Sequence, residues 1–307
     1  MPNNIPIVFT FDRKCAWPAA VALQSLLDSA SENTVYDIHV LHPDLSQAMI
    51  DGFLKITGRS GHKLTFHFVG KDRFRNVPAN GGSWGPIVYY RLLIPEILAD
   101  CDKAIYSDID VFFKKDLSAL FATDIENFEV GAIAGEVNAP DTICHKYFPE
   151  NKKSVIYMSG FLLMNLKRMR AEQTVSKFFE TIRQFGPRLK MFDLDVLNLT
   201  CTRICPLPFD YAVLEAVYAL GNLKDAKDYR WLCRIYSDEQ LLAARRDPAI
   251  IHYAGELGKP WRRADVPAYY QSYLDAVPPE LRVRTLRDIR KTWISKIFGR
   301  KKQRSER

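Results

Sequence analysis

Ala104-Ile105-Tyr106-Ser107-Asp108-Ile109-Asp110-Val111-Phe112-Phe113 is an apolar run of strand-like composition with two carboxylates near its far end. Successive side chains of an extended strand point to opposite faces, so the reading predicts Asp108 and Asp110 on one side. Two hard oxygen donors held that way can grip a divalent cation. In an open α/β sheet the carboxyl ends of strands are also where ligands bind. The spacing alone carries little, because Asp-x-Asp recurs at Asp100/Asp102 and Asp193/Asp195. The buried-strand context singles out Asp108 and Asp110.

Outward from this run, strands and helices alternate. Ile5 to Phe11 reads as a first strand with Pro6 near its start, and Asp12 follows it directly. Ala16 to Ala30 has helical apolar spacing, Val35 to Leu41 is a second strand, Ser46 caps a helix to Ile56, and Leu64 to Val69 is a third strand. That order predicts parallel βαβ units and an α/β fold. Asp12 either caps a helix or points into the crevice of Asp108. Asn76 to Pro86 is a loop, and Val88 to Pro95 a short helix in which Arg91 either snorkels outward or holds an anion. Further strands are expected at Glu129–Gly135 and at Val155–Met164. The second is broken by Ser159-Gly160, where the glycine suggests a close backbone approach. Asp193 and Asp195 begin a helix and diverge, since i and i+2 do not share a face. His252 ends a short apolar strand and precedes Gly255 and Lys259; it is either a core histidine or a metal ligand.

The chain has 307 residues, 47% hydrophobic and 26% charged, ample for a sizeable core. No secretory signal and no run of eighteen apolar residues is visible, and six cysteines lack paired zinc spacing, which fits a reducing cytosol. P-loop, dinucleotide Gly-x-Gly-x-x-Gly and Gly-x-Ser-x-Gly motifs are missing. Residues 281–307 hold eleven Lys/Arg against two acids, so the overall +7 leaves −2 for the other 280 residues. In this tail Leu286, Ile289, Trp293 and Ile297 form one helical stripe among cations, the pattern of an interfacial helix on an anionic membrane surface. A stripe docked on the protein's own body is the alternative. The basic residues are confined to the end and no nucleic-acid motif accompanies them, so no nucleic-acid partner is expected.

Together these segments resemble glycosyltransferase family 8, whose members include bacterial lipopolysaccharide and lipooligosaccharide galactosyl- and glucosyltransferases. The likeness covers about residues 5–265. It is carried by Ile5 to Asp12, Tyr90-Arg91-Leu92, Asp100 to Lys103, Tyr106 to Val111, Ser159 to Leu166, Phe192 to Asn198, and His252 to Gly255 with Lys259-Pro260-Trp261. The resemblance implies a GT-A fold: a mixed, mostly parallel central sheet flanked by helices. Residues 1–270 would form the catalytic domain and 271–307 a basic helical extension for membrane association. It implies a retaining transferase moving glucose or galactose from a UDP-hexose to a glycan or glycolipid acceptor. Asp108, Asp110 and His252 match the metal ligands for Mn²⁺, with Mg²⁺ the alternative. Donor contacts would come from Thr10, Phe11 and Asp12 toward uridine, from Asp108, Ile109, Asp110, Gly255 and Lys259 toward the diphosphate, and from Arg91 and Asp193 toward the sugar. Catalytic roles would fall to Asp193 and Asp195. The expected location is cytoplasmic, on the inner face of the membrane.

Three positions depart from the family pattern. Its usual Asp-Gln-Asp is Asp193-Leu194-Asp195 here, Met158 stands where Asn is frequent, and Arg13-Lys14-Cys15 continues the uridine segment. Leu194 cannot be a nucleophile, so Asp193 or Asp195 reaches the anomeric carbon or the acceptor attacks from the leaving-group side. A catalytically impaired sugar-nucleotide-binding scaffold is the first alternative. A sugar-nucleotide nucleotidyltransferase is the second; it would want a Gly-rich loop where Phe11-Asp12-Arg13-Lys14 stands.

Overall fold

The computed structural model describes residues 3–58, 61–75, 77–78, 85–285 and 288–290. Its strands are β1 (Asn3–Thr10), β2 (Thr34–His42), β3 (Lys63–Phe68), β4 (Lys103–Ser107), β5 (Val111–Phe113), β6 (Val130–Val137), β7 (Val155–Asn165), β8 (Ile204–Pro206), β9 (Val213–Leu214) and β10 (Ile250–His252). Seven form one sheet in the order β3-β2-β1-β4-β7-β6-β8, and β5-β10-β9 form a small second sheet. In the large sheet only β7 runs against the rest. The architecture is α/β with a mixed, mostly parallel sheet flanked by helices, as expected.

Residue alternation builds the two sides of this sheet. Ile5, Ile7 and Phe9 of β1 turn toward one core, shared with helices α1 (Ala16–Asp28) and α2 (Gln47–Thr57). Val8 turns to the other, with Tyr106, Leu162, Phe178 and Val196. A strand buried on both faces reads as a continuous apolar run, which is why β1 lies in the middle. The Ser46 side chain caps α2 by accepting from the Met49 amide. After β3 the chain crosses to the opposite flank of β1, so β1 and β4 bound a topological switch point. Their carboxyl ends, Thr10 and Ser107, open on the crevice where open α/β sheets take ligands.

The run 104–113 departs from its expected reading. It is two strands, with Asp108-Ile109-Asp110 a bend between them, and β5 joins the small sheet. Asp108 and Asp110 therefore do not share a strand face. The apolar composition continues across the bend because both strands are buried, so composition cannot mark the change of sheet. The expected break at Ser159-Gly160 is also different: β7 is continuous, and its pairing with β6 slips between Ala132↔Leu162 and Ala134↔Tyr157. Four residues, Met158 to Phe161, face a single residue of β6 there, although Phe161 keeps its pairing with Ser107 of β4.

Packing runs across the expected domain boundary at residue 270. Helix 268–276 buries Tyr270 and Leu274 in the α1 core, and Val277 and Leu281 follow them. Asp288 is buried and accepts from the Arg262 side chain and, at 2.8 Å, from the Thr285 amide. Of the expected tail stripe, Ile289 is half exposed; Leu286, Trp293 and Ile297, with residues 291–307, lie outside the described residues. No helix among the described residues is long and apolar enough to cross a membrane.

Candidate active site

Register brings the three expected metal ligands together. β10 pairs antiparallel with β5, His252 opposite Val111, and the Tyr253 amide donates to the Asp110 carbonyl at 2.8 Å. Asp108 is fixed from the other side, its amide donating to the Gly160 carbonyl at 2.7 Å in continuation of the β4–β7 ladder. Asp108, Asp110 and His252 thus offer ligand atoms that all lie within 4.8 Å of one another. Gly160 clears the space between them. A Cβ there would fall 2.8 Å from Asp108 Oδ2 and 3.0 Å from His252 Cε1, so the close approach suggested by this glycine is to the site itself. Two carboxylates and an imidazole, in a pocket that a Cβ would fill, fit Mn²⁺ or Mg²⁺.

Two cations, Lys259 and Arg91, face the three carboxylates of Asp108, Asp110 and Asp193. Lys259 donates to Asp110 Oδ2 and to the Tyr253 carbonyl. Burial alone would raise the Asp110 carboxyl, but Lys259 and His252 overcome it and hold it well below the usual carboxylate range. Arg91, only 6% exposed, neither snorkels nor waits for a free anion. Its Nη2 lies 2.9 Å from Asp108 Oδ1 and its Nη1 3.1 Å from Asp193 Oδ2. The guanidinium also donates to the carbonyls of Ser159 and Val88, and stacks 4.4 Å over the Tyr106 ring. Asp193 Oδ2 makes an ion pair but no hydrogen bond, so this buried oxygen keeps an open acceptor site. Burial pushes the Asp193 carboxyl up to about 6, against the lowering by Arg91.

The remaining expected residues divide. Thr10 Oγ1 is 3.1 Å from the Tyr106 hydroxyl, which donates to Asp108 Oδ1 at 2.6 Å, so one chain of hydroxyls ties β1 to the acid. The Phe11 ring is core, against Phe53, and its amide donates to the Leu41 carbonyl at 3.3 Å. Asp12 takes the cap role, accepting from the Lys14 amide at 3.0 Å. Ile109 is half-buried in the bend. Gly255 has φ 102°, a conformation that a side chain would strain, and bears on Asp228. Asp195 turns away from Asp193 and accepts from the Lys190 and Met191 amides, both at 2.7 Å.

Two residues enter that carried no role in the sequence. Tyr106 is the floor under Arg91 just described. Asn198, buried, accepts from the Tyr157 amide at 2.9 Å and donates to the carbonyls of Tyr157 and Leu194 at 2.8 and 2.9 Å. It locks β7 to the helix of Asp193 (193–200).

The switch-point crevice and its acid–acid–histidine cluster define a GT-A-like fold with a candidate cation site. The profile described as "Glycosyl transferase family 8" matches residues 6–265, and the chain belongs to that family. Among curated proteins it is similar to "Glycosyltransferase GlyA" of Streptococcus pneumoniae, 26% identical over 57% of this chain and 21% of that one. It also matches a "Putative glycosyltransferase" of Haemophilus influenzae, 23% identical over 65% of this chain and 60% of that one. The chain thus spans less than two thirds of the length of these relatives. The solved structure of the galactosyltransferase LgtC in complex with donor and acceptor sugar analogues superposes with TM-score 0.74. That likeness, at 24% identity over 91% of this chain and 99% of the other, is one of fold.

Proposed function

We propose that the protein transfers a hexose from a UDP-hexose to a saccharide acceptor, with retention at the anomeric carbon. The observation that carries this reading is the convergence of Asp108, Asp110 and His252 beside the buried Arg91–Asp193 pair. Family membership supports sugar transfer, and the LgtC complex with donor and acceptor analogues supports a two-sugar site. A divalent cation held by Asp108, Asp110 and His252 would supply Lewis-acid stabilisation to the departing diphosphate. Lys259 then exchanges its contact with Asp110 for a phosphate oxygen, and the Gly255 backbone admits the diphosphate closely. Arg91 holds Asp193 so that its open oxygen accepts from sugar hydroxyls and fixes the ring. Asp193 faces the site, whereas Asp195 is engaged with two backbone amides and serves the fold of the preceding loop. With Leu194 apolar, the proposed route is front-side attack, in which a phosphate oxygen of UDP takes the acceptor proton.

The test is UDP release with Mn²⁺ and a panel of saccharide acceptors. Turnover is expected. Tight UDP-sugar binding with no UDP release would instead favour the non-catalytic scaffold. The acceptor proposed is a lipid-linked saccharide, reached through the basic segment 281–307 on an anionic bilayer. The full chain should sediment with anionic liposomes, and changing Lys296, Arg300, Lys301 and Lys302 to Gln should leave it in the supernatant. Equal sedimentation of both would remove the membrane from the proposal.

A further inference from the structure

Next to the polar anchors of the site lies a cavity of about 270 Å³ with a different chemistry. Four of its lining residues adjoin the anchors directly. Met158 precedes Ser159, Leu194 follows Asp193, and Leu214 is registered against His252. Asp228 places an oxygen 2.9 Å from where a Cβ on Gly255 would stand. Trp231 and further apolar side chains complete the wall, with Glu136 the second acid and Tyr157 and Cys144 its other polar side chains. Among the described residues that line it there is no Lys, Arg, His, Asn, Gln, Ser or Thr. The wall is also fixed: Asn198 binds both the Tyr157 backbone and the Leu194 carbonyl, holding Met158 and Leu194 in place relative to each other.

A cavity of this size takes about one ring, being at the small end of ligand pockets. Because Met158 and Leu194 adjoin Ser159 and Asp193 and Leu214 is registered against His252, a hexose whose diphosphate lay at the triad and whose hydroxyls met Asp193 would present its far edge to this wall. Hydroxyls on that edge would leave water for methionine and leucine with nothing to accept or donate in return. A methyl group there loses nothing and gains contact with apolar carbon. Two carboxylates at the margin can still accept from the ring's remaining donors.

We propose that this cavity receives the edge of the transferred sugar that carries a methyl group, on an acetamido substituent or a deoxygenated terminal carbon, and that Met158, Leu194 and Trp231 select it. The inference rests on the UDP-sugar transferase reading and narrows its donor. Both sources present the same apolar end to the same wall.

Calorimetric titration of the full chain with Mn²⁺ tests it, using UDP, a UDP-hexose, the matched UDP-N-acetylhexosamine and a UDP-6-deoxyhexose. One methyl-bearing donor should bind about tenfold tighter than the unmodified UDP-hexose, and which of the two does so identifies the source. The double variant Met158→Asn, Leu194→Gln should bring that preference below about threefold while UDP alone binds as before. If the double variant does not fold, Trp231→Ala, at a half-buried position, should weaken the methyl-bearing donor selectively. An unmodified UDP-hexose that binds wild type as tightly as the methyl-bearing donors overturns this inference and leaves the transferase reading standing. Failure of UDP itself to bind overturns both.

Discussion

Two arginines of this molecule, Arg263 half-buried and Arg91 buried, face carboxylates in different ways. Arg263 meets Glu215 fork to fork, Nη1 to Oε2 at 2.7 Å and Nη2 to Oε1 at 2.8 Å, with a longer ion pair of 3.6 Å to the exposed Asp265 and a donor spent on the Leu257 carbonyl. Arg91 serves two anions, Asp108 and Asp193, and spends further donors on two backbone carbonyls. It leaves one buried oxygen of Asp193 without a hydrogen bond. Arg263 also keeps a buried Nε without a hydrogen bond, but both oxygens of its carboxylate partner are bonded, whereas at Arg91 the unbonded atom is the carboxylate oxygen itself. Buried polar groups in folded proteins are nearly always satisfied, so such an oxygen is open to a further donor. The closed pair holds the chain after β9 to the segment after Trp261. The open one is short of positive charge and of donors, which a cation and a sugar's hydroxyls would bring.

Removing the closed pair should have the largest effect. Arg263→Met leaves Glu215 buried without a partner and should destabilise the fold by about 3–5 kcal/mol in urea titration. Its thermal response to UDP with Mn²⁺ should persist. A Glu215 carboxylate that tolerates the change at less than about 1 kcal/mol would mean that this pair is not the structural one.

In the open region it is the ligand response that should be lost. In wild type, UDP at about a hundred times its dissociation constant with Mn²⁺ should add about 2.7 kcal/mol, roughly 5 °C in Tm. Asp110→Ala should abolish that rise and lower the unliganded Tm as well, because Lys259 and His252 stabilise the ionised carboxylate in the fold. A rise that survives in Asp110→Ala would break the assignment of the cation to this cluster.

How much of this was legible in the sequence follows from the range of each interaction. β1, β2, β3 and the helices between them were readable because alternation and the Ser46 cap act over a few residues. Asp108, Asp110 and His252 were readable as residue types in a family pattern, yet the reason they meet, the β5–β10 register, is set across about 140 residues of chain. The bend at Asp108-Ile109-Asp110 was hidden because the strands on either side are equally apolar. Asn198 had no local signal at all: an amide in a helix looks solvated until its partner Tyr157, 41 residues away, is known. The cavity was hidden for the same reason, since Met158 and Leu194 read singly as substitutions and only the fold puts them on one wall.

The smallest expected effect sharpens the contrast from the side of Asp193. Burial raises its carboxyl to about 6 in the folded chain, above the ordinary value of 3.8. Between those values the folded state keeps a proton that the unfolded state has released. Linkage then requires stability to fall as pH rises through that window and to level off above it. Asp193→Asn lacks the group, so urea midpoints of wild type should decline relative to this variant from about pH 4 to pH 6 and run parallel from pH 6 to pH 8. Parallel midpoints over the whole range would mean that Arg91 neutralises Asp193 as fully as Arg263 neutralises Glu215, and the asymmetry would be gone. The direction matters for function. Above about pH 6 Asp193 is ionised at the expense of stability, and its Oδ2 is then a charged acceptor without a hydrogen bond, as the proposed sugar contact requires.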